Sequence, residues 1–308
     1  MISFRYRDKG TVIHQLNPFC KLAWVASVVV LALILNHPLF LLFLFLSTLP
    51  MVITAKVWRE WTSFMRLALY LCVAIVIVNA LMSYHGTHIL LEAPFRVPVM
   101  GTPVITLEST FYGVAMCLRL LAIISAFAVL TFTVHPDDMM LSMIKMGLPY
   151  KSVLVASLST RFIPNLIQDV GRITDVQRSR GLELDKGRLP QRVKSRTRVI
   201  VPLLSNSLDR TVQIAEAMES RAFGSGTRRT FYKEIRLSLI DTFTLSFACL
   251  PLAFGIFMRL SGYGDYQYYP TLEGINLNGL EWSMLIVLIL LLSTVVPLAS
   301  LKRRVELD

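Results

Sequence analysis

FYGVAMCLRLLAIISAFAVLTFT, from Phe111 to Thr133, carries one charge, Arg119, in 23 residues. At about 1.5 Å per residue, such a helix crosses the ~30 Å hydrocarbon core of a bilayer. Five further apolar runs, at about 22–35, 39–55, 67–84, 237–258 and 282–300, are read the same way. The chain of 308 residues is 54% hydrophobic and 17% charged, with a mean hydropathy of +0.58. A soluble domain of this size would carry more charge. The expected fold class is an all-α integral membrane protein with about six transmembrane helices and two long amphipathic helices outside them. A fairly apolar stretch at 150–168 leaves the span count open by one.

The net charge is +11. In a soluble protein that would point to nucleic acid. In a membrane protein Lys and Arg collect in cytoplasmic loops and set the topology, so no nucleic-acid partner is expected. The N-terminal segment (Arg5, Arg7, Lys9, Lys21), a loop at 56–66 (Lys56, Arg59, Arg66), the segment 134–236 and the C-terminal Lys302-Arg303-Arg304 are all basic. The intervening loops carry only Arg96 and Arg259. Six spans put every basic piece, and both termini, on the cytoplasmic side of the cell membrane. No cleavable signal peptide is visible. The chain divides into three parts: 1–133 with spans one to four, 134–236 outside the bilayer, and 237–308 with spans five and six.

Residues 134–236 hold 18 Lys/Arg against 10 Asp/Glu and no run long enough to span. Pro136 with Asp137 and Asp138 marks a helix start, acids lying at the positive end of the dipole. Met139, Met140, Met143 and Met146 then form a short amphipathic stretch, ended by Gly147. It reads either as a surface helix at the membrane or as an adaptable Met-rich face for a changing partner. Beyond it a helical pattern runs from Tyr150 to Arg180, with an apolar stripe of Leu154, Leu158, Phe162, Leu166, Val170 and Ile173 and a Pro164 that should kink it. Residues 182–196 read as a loop or short helix. A second pattern from Arg198 to Phe223 carries Val201, Leu204, Leu208, Val212, Ala215 and Met218. Both patterns close on a Ser-Arg-small triplet, Ser179-Arg180-Gly181 and Ser220-Arg221-Ala222, with the arginines 41 residues apart. An arginine there complements the helix dipole. Two of them, each beside a small residue, also suit paired docking, because a guanidinium fork grips carboxylates bidentately.

These pieces resemble the transmembrane T component of energy-coupling factor (ECF) transporters, the EcfT/CbiQ-type permease family. The resemblance rests on Leu16-Asn17-Pro18 with Lys21-Leu22, on Arg119-Leu120 ahead of Thr133-Val134-His135-Pro136, on Arg161-Phe162-Ile163-Pro164, and above all on the two triplets. It runs from about residue 11 to 229. It implies a non-catalytic subunit that couples two cytoplasmic ABC-type ATPases to a membrane S component capturing a vitamin or a transition-metal ion. The two long helices would be coupling helices crossing in an X. Ser179, Arg180, Gly181, Ser220, Arg221 and Ala222 would dock the ATPases. Met139, Met140, Met143, Met146, Leu154 and Leu158 would meet the S component. Pro18, Lys21, Arg119, Pro136, Arg161 and Pro164 would be structural. The family pattern has Ala-Arg-Gly at the triplets, so Ala222 puts the geometry of the second one in question if a positive φ is required there.

No Gly-x-x-x-x-Gly-Lys-Ser/Thr occurs, so ATP and Mg are expected on the partner ATPases and no cofactor or metal on this chain. No Ser-His-Asp set or carboxylate pair looks catalytic. Cys20, Cys72, Cys117 and Cys249 read as small membrane-buried side chains. His85 and His88 share an outer loop without further ligands. Arg119 is costly inside a span and is expected to snorkel or to pair with a polar group such as Asn79. A stand-alone secondary transporter is the rival reading. It calls for ionisable groups near mid-membrane, and only Asp241, near a span end, is acidic.

Overall fold

A computed structural model describes residues 9–82, 88–92, 104–181, 189–226, 238–270, 272–274 and 276–307. Arg5, Arg7, His85, Pro94, Arg96, Pro98, Gly101 and Pro103 lie outside the described residues. The helices are α1 (Val12–Gln15), α2 (Pro18–Ile34), α3 (Pro38–Thr54), α4 (Trp58–Met82), α5 (Leu107–Thr133), α6 (Pro136–Lys145), α7 (Tyr150–Ser179), α8 (Leu189–Ser220), α9 (Leu239–Leu260), α10 (Gly279–Ser293) and α11 (Val295–Leu307). The all-α class holds, with one antiparallel ribbon, β1 (Ile89–Glu92) and β2 (Val104–Thr106), between α4 and α5. Contacts divide the chain into two compact units, residues 1–139 with 236–308 and residues 140–235.

Among the described residues of the first unit, four stretches are long and apolar enough to cross a membrane: Trp58–Asn79, Leu107–Thr133, Leu239–Leu260 and Gly279–Lys302. The apolar helices α2 and α3 have 17 residues each. The basic loop expected at 56–66 shrinks to a tight turn. Lys56 takes a left-handed φ of +55° and α4 starts at Trp58, so Arg59 and Arg66 ride on its first turns. The aromatic side of that helix explains the early start: Trp61 stacks on Phe45, and Phe64 meets Phe132 edge-on at 5.2 Å.

The core joins Trp24, Leu31, Phe40, Leu44, Met51, Met258 and Leu285. Small residues let α2 and α9 approach closely. A Cβ on Gly255 would collide with the side chain of Leu31. The Ser27 hydroxyl donates to the Ala248 carbonyl at 2.6 Å. Several buried polar groups pair with one another or with the backbone here, since hydrocarbon offers them nothing else. Thr48 and Ser125 hydroxyls lie 2.6 Å apart, and the Trp61 indole N–H donates to Ser125 at 2.9 Å, tying α3, α4 and α5. Cys20, Cys72 and Cys117 are buried as expected, but Cys249 is exposed.

Candidate functional site

The second unit is a hairpin of α7 and α8. Tyr150, at the start of α7, lies 6.4 Å ring to ring from Phe223, just past the end of α8. Farther along, Arg210 Nη2 donates to Asp169 Oδ2 at 3.0 Å. Both contacts require the helices to run antiparallel. α7 matches its sequence pattern and runs unbroken through Pro164, which leaves the Thr160 carbonyl without its usual helix donor. α8 begins at Leu189, about nine residues ahead of the expected start, so much of the stretch read as a loop or short helix belongs to α8 itself. Gln, Lys and Arg are good helix formers, and a proline is tolerated in a first turn.

The two helix ends are built alike. Arg180 is the C-cap of α7, and Gly181 follows with φ +80° and its N–H on the Arg178 carbonyl at 3.0 Å. At α8, Arg221 takes the same place and Ala222 follows with φ +53°. The Ala222 N–H bonds the Glu219 carbonyl at 2.8 Å, and the Phe223 N–H bonds the Met218 carbonyl at 2.9 Å. This pair of bonds is a Schellman closure. The positive φ is therefore required at the second triplet, and Ala222 adopts it at a cost glycine would not carry. Ser179 and Ser220 also match, each hydroxyl donating back three residues, to Val176 at 2.8 Å and to Ala217 at 3.1 Å. With their hydroxyls used in the cap, the serines secure the helix ends. Arg180 and Arg221 are exposed and have no ion pair among the described residues. Each end thus presents an exposed fork of donors beside a sharp backbone turn.

The apolar faces differ from the expected stripes. On α7, Leu154, Leu158, Phe162, Leu166 and Ile173 are half-buried, whereas Val155, Ile163, Ile167 and Val170 form an exposed row. On α8, Val201, Leu204, Leu208 and Val212 are exposed, and Leu203, Ser207, Arg210 and Ile214 are turned inward. Of the methionines, Met139 packs against the core of the first unit, Met140 and Met143 are half-buried, and Met146 lies exposed beyond the end of α6.

A family model described as cobalt transport protein, CbiQ, matches residues 9–232. The chain belongs to the CbiQ family. The EcfT transmembrane protein of an energy-coupling factor transporter from Staphylococcus aureus is 27% identical over 274 residues, 85% of this chain and 98% of that protein. The EcfT protein of Lactococcus lactis is 30% identical over 252 residues, covering 79% and 91%. The chain is thus a T component of an ECF transporter, a multi-pass membrane permease subunit and not an enzyme.

Of the remaining residues of the CbiQ resemblance, Pro18, Lys21, Arg119 and Pro136 lie in the first unit and Arg161 and Pro164 in the second. Pro18 is the first residue of α2, behind an Asn17 cap that accepts the Phe19 N–H at 3.1 Å. Lys21, 3% exposed, donates to the Thr133 carbonyl at 2.8 Å and to the His14 carbonyl at 3.0 Å. It places a cation on the negative end of the α5 dipole and fixes α1, α2 and α5 at one end. Pro136 opens α6, where His135 Nδ1 accepts the Asp137 N–H. Arg161 lies on the exposed side of α7. Arg119 does not pair with Asn79, whose amide bonds Ile75 in its own helix. It donates instead to the Leu35 carbonyl at 3.0 Å and to Asn36 Oδ1 at 2.9 Å, closing the C-terminus of α2. Asn36 passes the contact to Asp265, which also pairs with Arg259 at 2.8 Å. The Arg259 and Asn36 donors hold the Asp265 carboxyl below the usual range. Asn36 lies 83 residues from Arg119, so no local signal could reveal it.

Proposed function

We infer that this T component transmits motion from two separate ABC-type ATPases to a membrane S component that captures a vitamin or a transition-metal ion. The observation that carries this reading is the matched pair of helix ends. Two C-cap arginines in the same backbone setting, exposed and facing opposite ways on an antiparallel hairpin, suit a partner that comes in two related copies. Each guanidinium would grip a carboxylate on one ATPase subunit, with Ser179, Gly181, Ser220 and Ala222 shaping the turn. ATP and Mg would be held by the ATPases. The exposed rows Val155–Ile163–Ile167–Val170 and Val201–Leu204–Leu208–Val212, with the Met140–Met143–Met146 stretch, offer the apolar surface that an S component needs. Leu154 and Leu158 would support that surface from beneath. The basic ends of the chain favour a cytoplasmic location for both termini.

Co-purification tests the reading. The tagged chain, extracted with the ATP-binding proteins encoded beside it, should bring both down, and alone it should show no ATPase activity. Arg180→Ala with Arg221→Ala should abolish ATPase association and uptake of labelled Co²⁺, Ni²⁺ and water-soluble vitamins, while each single change weakens them. Desolvated charge pairs at interfaces couple by about 1.5–7 kcal/mol, so the loss of two exceeds what the rest of the contact could absorb. Intact association and uptake in the double variant would refute the docking role.

A further inference from the structure

Asp169 and Arg210 occupy equivalent positions in the 41-residue pseudo-repeat. Asp169 stands eleven residues before Arg180, and Arg210 stands eleven before Arg221. The ion pair therefore joins the two helices at one shared point of the repeat. From that point each arm reaches its arginine over about 16 Å of helix, at ~1.5 Å per residue. Because α7 and α8 are antiparallel, the arms run in opposite directions and have equal length.

The surroundings explain why a charge pair stands there. The facing surfaces are apolar around it, with Phe162, Leu166 and Ile173 on α7 and Leu203 and Ile214 on α8 half-buried. Apolar contacts are non-directional, and helices packed through them can slip by a turn, about 5.4 Å. A partly buried ion pair opposes slippage, since leaving register strips both charges of their partner. Asp169 is 15% exposed and Arg210 is 37% exposed, so the acid is the enclosed member and the arginine reaches across to it.

We propose that the Asp169–Arg210 pair is the fulcrum of the hairpin, a positioning pair that fixes the register of α7 on α8 and hence the spacing of Arg180 and Arg221. The proposal rests on the docking role argued above for those two arginines. A push on one helix end then reaches the other as rotation about a fixed point, not as sliding between the helices.

Spin labels at Arg180→Cys and Arg221→Cys test this on the full chain in phosphatidylethanolamine–phosphatidylglycerol nanodiscs. Cys249→Ser removes the exposed native thiol. Pulsed electron resonance should give one narrow distance population. Asp169→Ala or Arg210→Ala should lower that population about three- to tenfold in favour of a broadened or turn-shifted one, as expected for contacting residues that couple by a factor of this order. The exchange Asp169→Arg with Arg210→Asp should restore it. In parallel, with Arg180 and Arg221 intact, the single changes should weaken ATPase co-purification and the exchange should recover it. An unchanged distance distribution in the single variants overturns the proposal. So does an exchange variant that stays broadened, or a single change that removes helical content, which would mark the pair as holding the fold rather than its register. The distance measurement needs no ATPase. If spacing responds but no ATPase ever co-purifies, the fulcrum stands and the docking reading falls.

Discussion

The two units of this chain each contain a carboxylate–cation pair of nearly the same geometry. Lys302 meets Asp241 at 2.9 Å in the membrane unit, and Arg210 meets Asp169 at 3.0 Å in the hairpin. Their surroundings separate them. Asp241 and Lys302 are 2% and 11% exposed, against 15% and 37% for Asp169 and Arg210. Asp241 also accepts the Ser238 N–H at the start of α9, and its carbonyl accepts the Cys20 thiol of α2. The membrane unit thus locks three helices with a closed polar cluster, and Lys21 joins three again at the ends of α1 and α5. Among the described residues, the hairpin shows no such closure. It leaves two apolar rows and two arginines exposed, and a half-open ion pair joins its helices. One unit closes its polar groups on itself, and the other leaves apolar rows and cations open.

The largest expected effect separates the two pairs. Asp241→Ala takes from the nearly buried Lys302 the carboxylate it meets at 2.9 Å, and breaking such a buried pair costs about 3–5 kcal/mol. Asp169→Ala frees an arginine that can turn to water, which costs about 1 kcal/mol or less. Thermal unfolding in detergent should therefore drop sharply for the first variant and little for the second, although the second is the one expected to disturb ATPase association. Equal shifts in the two variants would break the comparison.

The two helix ends allow a finer test inside the hairpin. Gly181 and Ala222 both take positive φ, and a non-glycine residue there costs about 1–2 kcal/mol. Ala222→Gly should slow amide exchange over the last turn of α8, and Gly181→Ala should speed it over the last turn of α7, each by about fivefold or more for ~1 kcal/mol. If Ala222→Gly loosens the end instead, the left-handed turn is not the resting state of the second triplet.

Much of this is legible from residue order alone. The apolar run around Arg119 marks its span to within four residues, since Thr106 caps the start and Pro136 bars extension past Thr133. The C-terminal ends of the two long helices and their closing triplets are equally plain, because period and a small residue at the turn are local signals, whereas the start of α8 falls nine residues ahead of its apolar pattern. The rest is set by distance or by environment. The partner of Arg119 is remote in sequence. The first turns of α4 carry Arg59 and Arg66 and read as a loop, and only the packing of Trp61 and Phe64 shows why they are helix. The stripe on α8 is apolar as expected, but periodicity cannot say whether an apolar face is covered or exposed. The Asp169–Arg210 pair is within reach of the sequence: the 41-residue offset that matches the arginines also matches these two positions.

The smallest effect lies at the far end of the membrane unit and gives that unit a pH response. His37 caps α3, its Nδ1 accepting the Leu39 N–H at 3.3 Å, and its ring meets Phe40 and Tyr266 edge-on. Burial holds its pKa below the usual 6.5, with Glu281 and Glu273 pulling weakly the other way. The unfolded chain therefore binds this proton at a higher pH than the folded one. Stability from His37 is complete above about pH 6.5 and declines as pH falls toward the lower folded value, with a slope of at most about 1.4 kcal/mol per unit. His37→Asn keeps a capping oxygen without a titrating proton. Its melting temperature should fall less than the parent's between pH 7 and pH 5. Parallel profiles for the two proteins would place the acid sensitivity of the membrane unit elsewhere, and a parent with no drop at all would mean that Tyr266 and Phe40 move aside to let the imidazolium reach water.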